Sequence, residues 1–172
     1  HAVYGEALDI LAGDALLNYA YETAALAFEM ETDPAGVGRA LAVLARKAGI
    51  YGMVGGQTVD VQSEGTSDMT REKLDFIYRL KTGALIEASM VIGAILAGAT
   101  RNEQKVMEET AAAVGLAFQI QDDILDITST QEVLGKPVGS DERNHKNTYV
   151  TFEGMEQAKR DVEEISNRAL ER

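Results

Sequence analysis

Only two prolines, Pro34 and Pro137, stand among 172 residues, and that scarcity constrains the fold more than any other feature. Proline removes a backbone donor and breaks helix interiors, so a chain this poor in it and rich in Ala, Leu, Glu, Met and Lys is free to run as long helices. Apolar residues recur at three- and four-residue steps instead of alternating, which is the helical period. The sequence therefore predicts an all-α chain, with room for one hydrophobic core.

From Glu6 to Glu31, Leu8, Leu11, Ala12, Ala15, Leu16 and Tyr19 predict a helix with one apolar stripe. Asp33-Pro34 ends it and opens another, with Asp as N-cap and Pro at the first position, carrying Val37, Leu41, Leu44, Ala45 and Ala48 on one face. Gly49, Gly52, Gly55 and Gly56 follow, where helix propensity weakens but backbones can approach closely. Thr70 is expected to cap a long helix reaching about Gly98. Thr100 with Glu103 reads as a capping box opening a helix to about Ile127. Thr128 to Thr148 is expected to be a long loop of the kind that is functional or mobile, and the last helix turns Met155, Ala158, Val162, Ile165 and Ala169 inward with Glu164 and Arg168 outside. The chain starts at His1 without Met and ends at Arg172 within a helical pattern, so residues 1–172 are expected to be a single partial domain.

A formal charge of −12 repels phosphate backbones, which argues against a nucleic-acid or anionic-membrane surface and requires any anionic ligand to be met locally. No cysteine is present, so there is no disulfide framework or thiolate metal site, and the cytoplasm is the default compartment. Apolar runs such as Ala88 to Ala99 fall short of the ~20 residues that span a bilayer, so no stable membrane insertion is expected.

Gln119, Asp122, Asp123 and Asp126 follow one another at steps of three, one and three on one side of the helix ending near Ile127. Clustered carboxylates repel, and hard oxygen donors of this kind suit Mg²⁺, which shares its sphere with water and phosphate. Alone, the pattern would also fit a solvated acidic face; Val114, Ala117, Phe118, Ile120, Ile124 and Leu125 around it argue for a central helix whose acidic side faces a cavity. Lys81 lies on the same apolar stripe as Leu74, Ile77 and Tyr78, where an ammonium must either snorkel to solvent or find an anion. Lys136 and Lys146 are placed to swing over the acidic face, although loop lysines are commonly no more than solvated charges. Gly55-Gly56-Gln57 with Asp60 reads by itself as tight helix packing.

Taken in order, G-G-Q-x-x-D at Gly55 to Asp60, K-T at Lys81-Thr82, G-x-x-F-Q-x-x-D-D-x-x-D at Gly115 to Asp126, and G-K at Gly135-Lys136 with the later Lys146 resemble the trans-isoprenyl diphosphate synthases. The likeness is to the farnesyl diphosphate synthase (geranyltranstransferase) type, and Tyr4-Gly5-Glu6 with Leu11 to Leu17 resembles the family's helix after its first aspartate-rich motif. The resemblance implies a class I terpenoid synthase helical bundle around a central cavity, here incomplete at both ends and usually homodimeric. It implies that the first aspartate-rich motif and the isopentenyl diphosphate site lie upstream of His1. It also implies Asp122, Asp123 and Asp126 as Mg²⁺ ligands, and Lys81, Thr82, Gln119, Lys136 and Lys146 as contacts to the allylic diphosphate.

In that reading Lys81, Thr82 and Gln119 are catalytic, with the Lys81 carbonyl among the oxygens that stabilise an allylic cation, while Gln57, Asp60 and Phe118 support the pocket. The isopentenyl double bond attacks the cation, a proton passes to the released diphosphate, and an allylic diphosphate longer by five carbons results, with farnesyl diphosphate the expected product. The rivals are a longer-chain prenyl synthase, a non-catalytic partner subunit, and a plain structural bundle. Intact Lys81, Gln119 and the three aspartates argue against the last two.

Overall fold

Two glycines pin the centre of this fold. A Cβ on Gly56 would lie 2.3 Å from the Lys81 nitrogen, and one on Gly115 would lie 2.9 Å from the Gly83 Cα. Backbone therefore meets backbone on both sides of residues 80–83, a separation that only residues without a side chain allow. This is the close packing that the glycine-rich stretch predicts.

The computed structural model describes residues 3–30, 33–66, 69–135, 138–139, 141 and 146–172. In chain order come α1 (Glu6–Ala25), α2 (Ala27–Met30), α3 (Pro34–Ala48), α4 (Met53–Ser63) and α5 (Arg71–Ile77). A single π turn (Tyr78–Thr82) joins α5 to α6 (Gly83–Leu96), and then follow α7 (Arg101–Thr128), α8 (Gln131–Leu134), α9 (Tyr149–Glu153) and α10 (Met155–Leu170). There is no strand among the described residues.

Local chemistry accounts for the boundaries. The Thr70 hydroxyl accepts from the Lys73 N–H, and Thr100 and Glu103 close both halves of the predicted capping box. Helix α7 packs on α6 and on α10, α3 packs on α6, and α4 packs on the π turn. The core gathers Leu74, Ile77, Tyr78, Ala117, Ile120, Ile124, Tyr149, Ala158 and Ile165, with Met155 and Val162 against it, so the inward face expected of α10 is the one observed. The Glu164 and Arg168 pair lies outside it, 3.8 Å apart.

Three expectations need correction. Helix α1 buries none of its residues, and Leu8, Leu11, Leu16 and Tyr19 are 57%, 60%, 71% and 65% exposed. Its apolar residues, Ile10 and Leu17 included, surround the helix instead of forming one stripe, and such a helix is stable only when covered on several sides. The helix expected over Thr70 to Gly98 contains the π turn, where the Gly83 N–H donates to the Tyr78 carbonyl five residues back. On α3 Val37, Ala40 and Ala48 are buried while Ala45 is exposed.

Away from the centre, the Lys47 ammonium pairs with the Glu87 carboxylate and ties α3 to α6. Glu87 is only 7% exposed, and burial holds its pKa above the ordinary carboxylate value, with Lys47 opposing and Glu108 reinforcing the shift. An acid whose folded pKa is raised contributes stability below its unfolded pKa and loses it as pH rises through the folded value. Glu87→Gln should remove that loss, so the variant's melting temperature should gain on the parent's as pH is raised from about 4 to 7. A constant difference across thermal melts in that range would contradict the shifted carboxyl.

Candidate active site

The π turn widens the helix for one turn, and such turns are frequent at functional sites because they re-aim side chains. Here it carries Lys81 and Thr82 to the wall of a cavity of about 270 Å³. The Gly115 crossing sets α7 one turn from this wall, and the Thr82 hydroxyl donates to the Gln119 side-chain oxygen at 2.8 Å. The anion that Lys81 needs is Asp60, whose Oδ2 lies 2.5 Å from Nζ. The same oxygen is 3.6 Å from the Lys146 Nζ, which also lies 3.4 Å from Glu64. One carboxylate thus holds two ammonium groups at the mouth of the cavity. Burial by itself would lower the Lys146 pKa, but Asp60 and Glu64 outweigh it and raise it above the ordinary value.

Across from these cations stands α7. Asp122 and Gln119 line the cavity, and Phe118 forms its rim while remaining 58% exposed. The three aspartates do not share one environment, contrary to the expectation that all face one way. Asp123 is 3% exposed, and its Oδ2 accepts from the Tyr78 hydroxyl and, at 2.8 Å, from the Tyr149 N–H. Burial pushes its pKa up to about 6 against those hydrogen bonds. Asp126 is 4% exposed and accepts from the Asp141 N–H at 3.1 Å, while its carbonyl accepts from the Gly139 N–H at 2.9 Å. It borders a second cavity with Asp123, Val138 and Asp141 and does not line the first. The physical reason lies in their partners: Asp122 and Asp126, four residues apart, share a side of α7, yet Tyr78 and Tyr149 engage Asp123 and the Asp141 segment engages Asp126.

The structure therefore brings Asp60, Lys81, Thr82, Phe118, Gln119, Asp122, Asp123 and Lys146 around one cavity. Gln57 lies outside it, on a mainly apolar cavity of about 520 Å³ that shares only Lys81 and Thr82 with the first. Lys136 lies outside the described residues. The sequence reading missed Tyr78, Glu64, Asp141 and Thr148, which also line the cavity. Tyr78 was within reach, since it lies three residues before Lys81 on the stripe already noted; Asp141 carries no signal beyond being acidic.

Five carboxylates, Asp60, Glu64, Asp122, Asp123 and Asp141, line the cavity against two lysines. A polyanion entering alone would meet net repulsion, so its charge has to be offset by a cation. Among the described residues no three carboxylates converge as a complete metal cage. The donor set still fits a hard cation that takes a carboxylate or two and completes its sphere with phosphate oxygens and water.

A profile of the family described as polyprenyl synthetase matches residues 1–172. The chain is 46% identical over 172 residues to a geranylgeranyl diphosphate synthase of Cyanophora paradoxa, covering 99% of this chain and 57% of that protein. It is 43% identical over 159 residues to a farnesyl diphosphate synthase of Geobacillus stearothermophilus, covering 92% and 53%. Among solved structures, the Helicobacter pylori geranyltransferase complexed with magnesium and isoprenyl diphosphate superposes with a TM-score of 0.87 at 31% identity, covering 99% of this chain and 55% of that one. The chain thus spans about half the length of the relatives it matches. None of the described helices is long and apolar enough to cross a membrane.

Proposed function

Because the chain belongs to the polyprenyl synthetase family, we propose that its parent protein is a prenyl diphosphate synthase that joins isopentenyl diphosphate to an allylic diphosphate, with residues 1–172 the C-terminal part of its catalytic domain. The observation that carries this is the gathering of Lys81 and Thr82 from the π turn and Gln119 and Asp122 from α7 around one cavity. Lys81 and Lys146, already aimed at the cavity mouth by Asp60, bind the diphosphate oxygens of the allylic substrate. Lys136 joins them in this reading. Asp122, with Asp123 and Asp126 behind it, holds Mg²⁺, which when bound offsets diphosphate charge and improves the leaving group.

As the carbon–oxygen bond lengthens, the Thr82 hydroxyl and the Gln119 carbonyl oxygen, fixed on each other, present preorganised dipoles to the developing allylic cation. Phe118 at the rim and the apolar Leu74 and Ile77 in the wall limit water that would otherwise quench it. Asp60 supports the two lysines, and Gln57 belongs to the adjoining apolar cavity on the far side of Lys81. A homodimer in the cytoplasm completes the reading, as the family resemblance implies.

Farnesyl diphosphate is the proposed product on the likeness over Leu11 to Leu17 and Gly135 to Lys146. A twenty-carbon product is favoured by other relatives, such as the geranylgeranyl pyrophosphate synthase of Capsicum annuum at 41% identity. Chromatography of products made by the full-length protein from isopentenyl and geranyl diphosphates decides. A dominant fifteen-carbon product is expected, and one of twenty or more carbons would transfer the assignment to the longer-chain type.

A further inference from the structure

Asp123 is engaged in a way that separates it from Asp122. Tyr149 opens α9, and the first N–H groups of a helix have no partner within it. The Tyr149 N–H lies 2.8 Å from the Asp123 Oδ2 and 3.1 Å from the Tyr78 Oη, and the Tyr78 hydroxyl donates to the same Oδ2. All three residues are at most 6% exposed. A carboxylate oxygen with two buried donors is committed, because giving it to another ligand would leave those donors unpaired.

The consequence lies three residues upstream. Lys146 reaches Asp60 and Glu64 at the cavity mouth, and its backbone is held between the start of α9 and the Asp141 carbonyl, which accepts from the Lys146 N–H at 2.9 Å. Other contacts hold α9 from outside: the Tyr149 hydroxyl donates to Asp161 at 2.8 Å, and the Arg71 guanidinium sits 4.3 Å over the Tyr149 ring. Tyr78 and Asp123 tie its start to the π turn and to α7 at once.

We propose that Tyr78 and Asp123 form a latch that seats the start of α9 and thereby positions Lys146 over the cavity, Asp123 acting as a positioning residue while Asp122 faces the ligand. The kinetic part of this rests on the prenyl synthase reading; the structural part does not. In the full-length protein, residue-resolved amide hydrogen exchange is compared among the parent, Tyr78→Phe and Asp123→Asn. Tyr78→Phe keeps the ring and Asp123→Asn keeps the shape, so both fold. Exchange at the Tyr149 amide should accelerate about five- to tenfold in each variant while the core amides of Ile120 and Ile165 keep the parent rate. With geranyl and isopentenyl diphosphates, both variants should raise KM for the allylic substrate about tenfold and change kcat less, whereas Asp122→Asn should lower kcat and leave Tyr149 exchange unchanged. Unchanged Tyr149 exchange, or equal acceleration in the core, would overturn the latch. Faster exchange with an unmoved KM would overturn its control of Lys146. If the parent shows no condensation, the exchange arm still decides the latch, and the functional reading alone fails.

Discussion

Asp122→Ala in the full-length protein should lower turnover by roughly 10³-fold or more while leaving the fold intact. Removing one preorganised charge-stabilising group costs about 10²–10³-fold, and a metal-holding carboxylate that also governs leaving-group charge contributes at least as much. Stability should respond in the other direction. Asp122 shares the cavity with Asp123 and Asp141, so its removal in the absence of Mg²⁺ relieves like-charge repulsion of a few tenths of a kcal/mol. Steady-state turnover measured beside thermal melting separates the two effects. Activity within a few-fold of the parent would remove Asp122 from the metal site.

Gly56→Ala should damage both stability and activity despite its small size. Alanine gains about 1 kcal/mol of helix propensity over glycine, but the added Cβ would lie 2.3 Å from the Lys81 nitrogen and 2.8 Å from the Leu80 carbonyl carbon. Both are backbone atoms, so α4 or the π turn has to move, and overpacking of this kind costs about 1–3 kcal/mol or more. The clash therefore wins. Since the displaced atoms form the peptide bond that carries Lys81, activity should fall further than stability. Gly38→Ala is the matched control, because a Cβ there meets nothing within 4 Å. It should stabilise α3 by about 0.5–1 kcal/mol. Urea unfolding of both variants tests the pair, and a neutral Gly56→Ala would mean that α4 does not abut the π turn.

Much of this architecture is legible in the residues because local rules and global fold agree. Thr100 with Glu103 caps α7 as its spacing requires, and α10 buries the face its period predicts. Lys81 announced an unmet charge, and the structure supplies Asp60. The π turn was not legible: Tyr78 to Thr82 holds no Gly or Pro, and one extra residue in a turn leaves the apolar stripe almost unchanged over so short a span. The split among the aspartates was also hidden. Spacing fixes which side of α7 they occupy, but only the partners brought by distant segments, Tyr78, Tyr149 and Asp141, decide which carboxylate stays open to the cavity. For α1 the three- and four-residue spacing of Leu8, Leu11, Ala15 and Tyr19 predicts one stripe, but Ile10, Leu16 and Leu17 extend the apolar surface around the helix.

The most direct test is inorganic diphosphate release by the full-length protein supplied with geranyl diphosphate, isopentenyl diphosphate and Mg²⁺, with each component omitted in turn. Release should require all three and should match, mole for mole, the isopentenyl units found in product. No release with all three present, or release that proceeds equally without isopentenyl diphosphate, would contradict the assignment of this cavity to prenyl transfer.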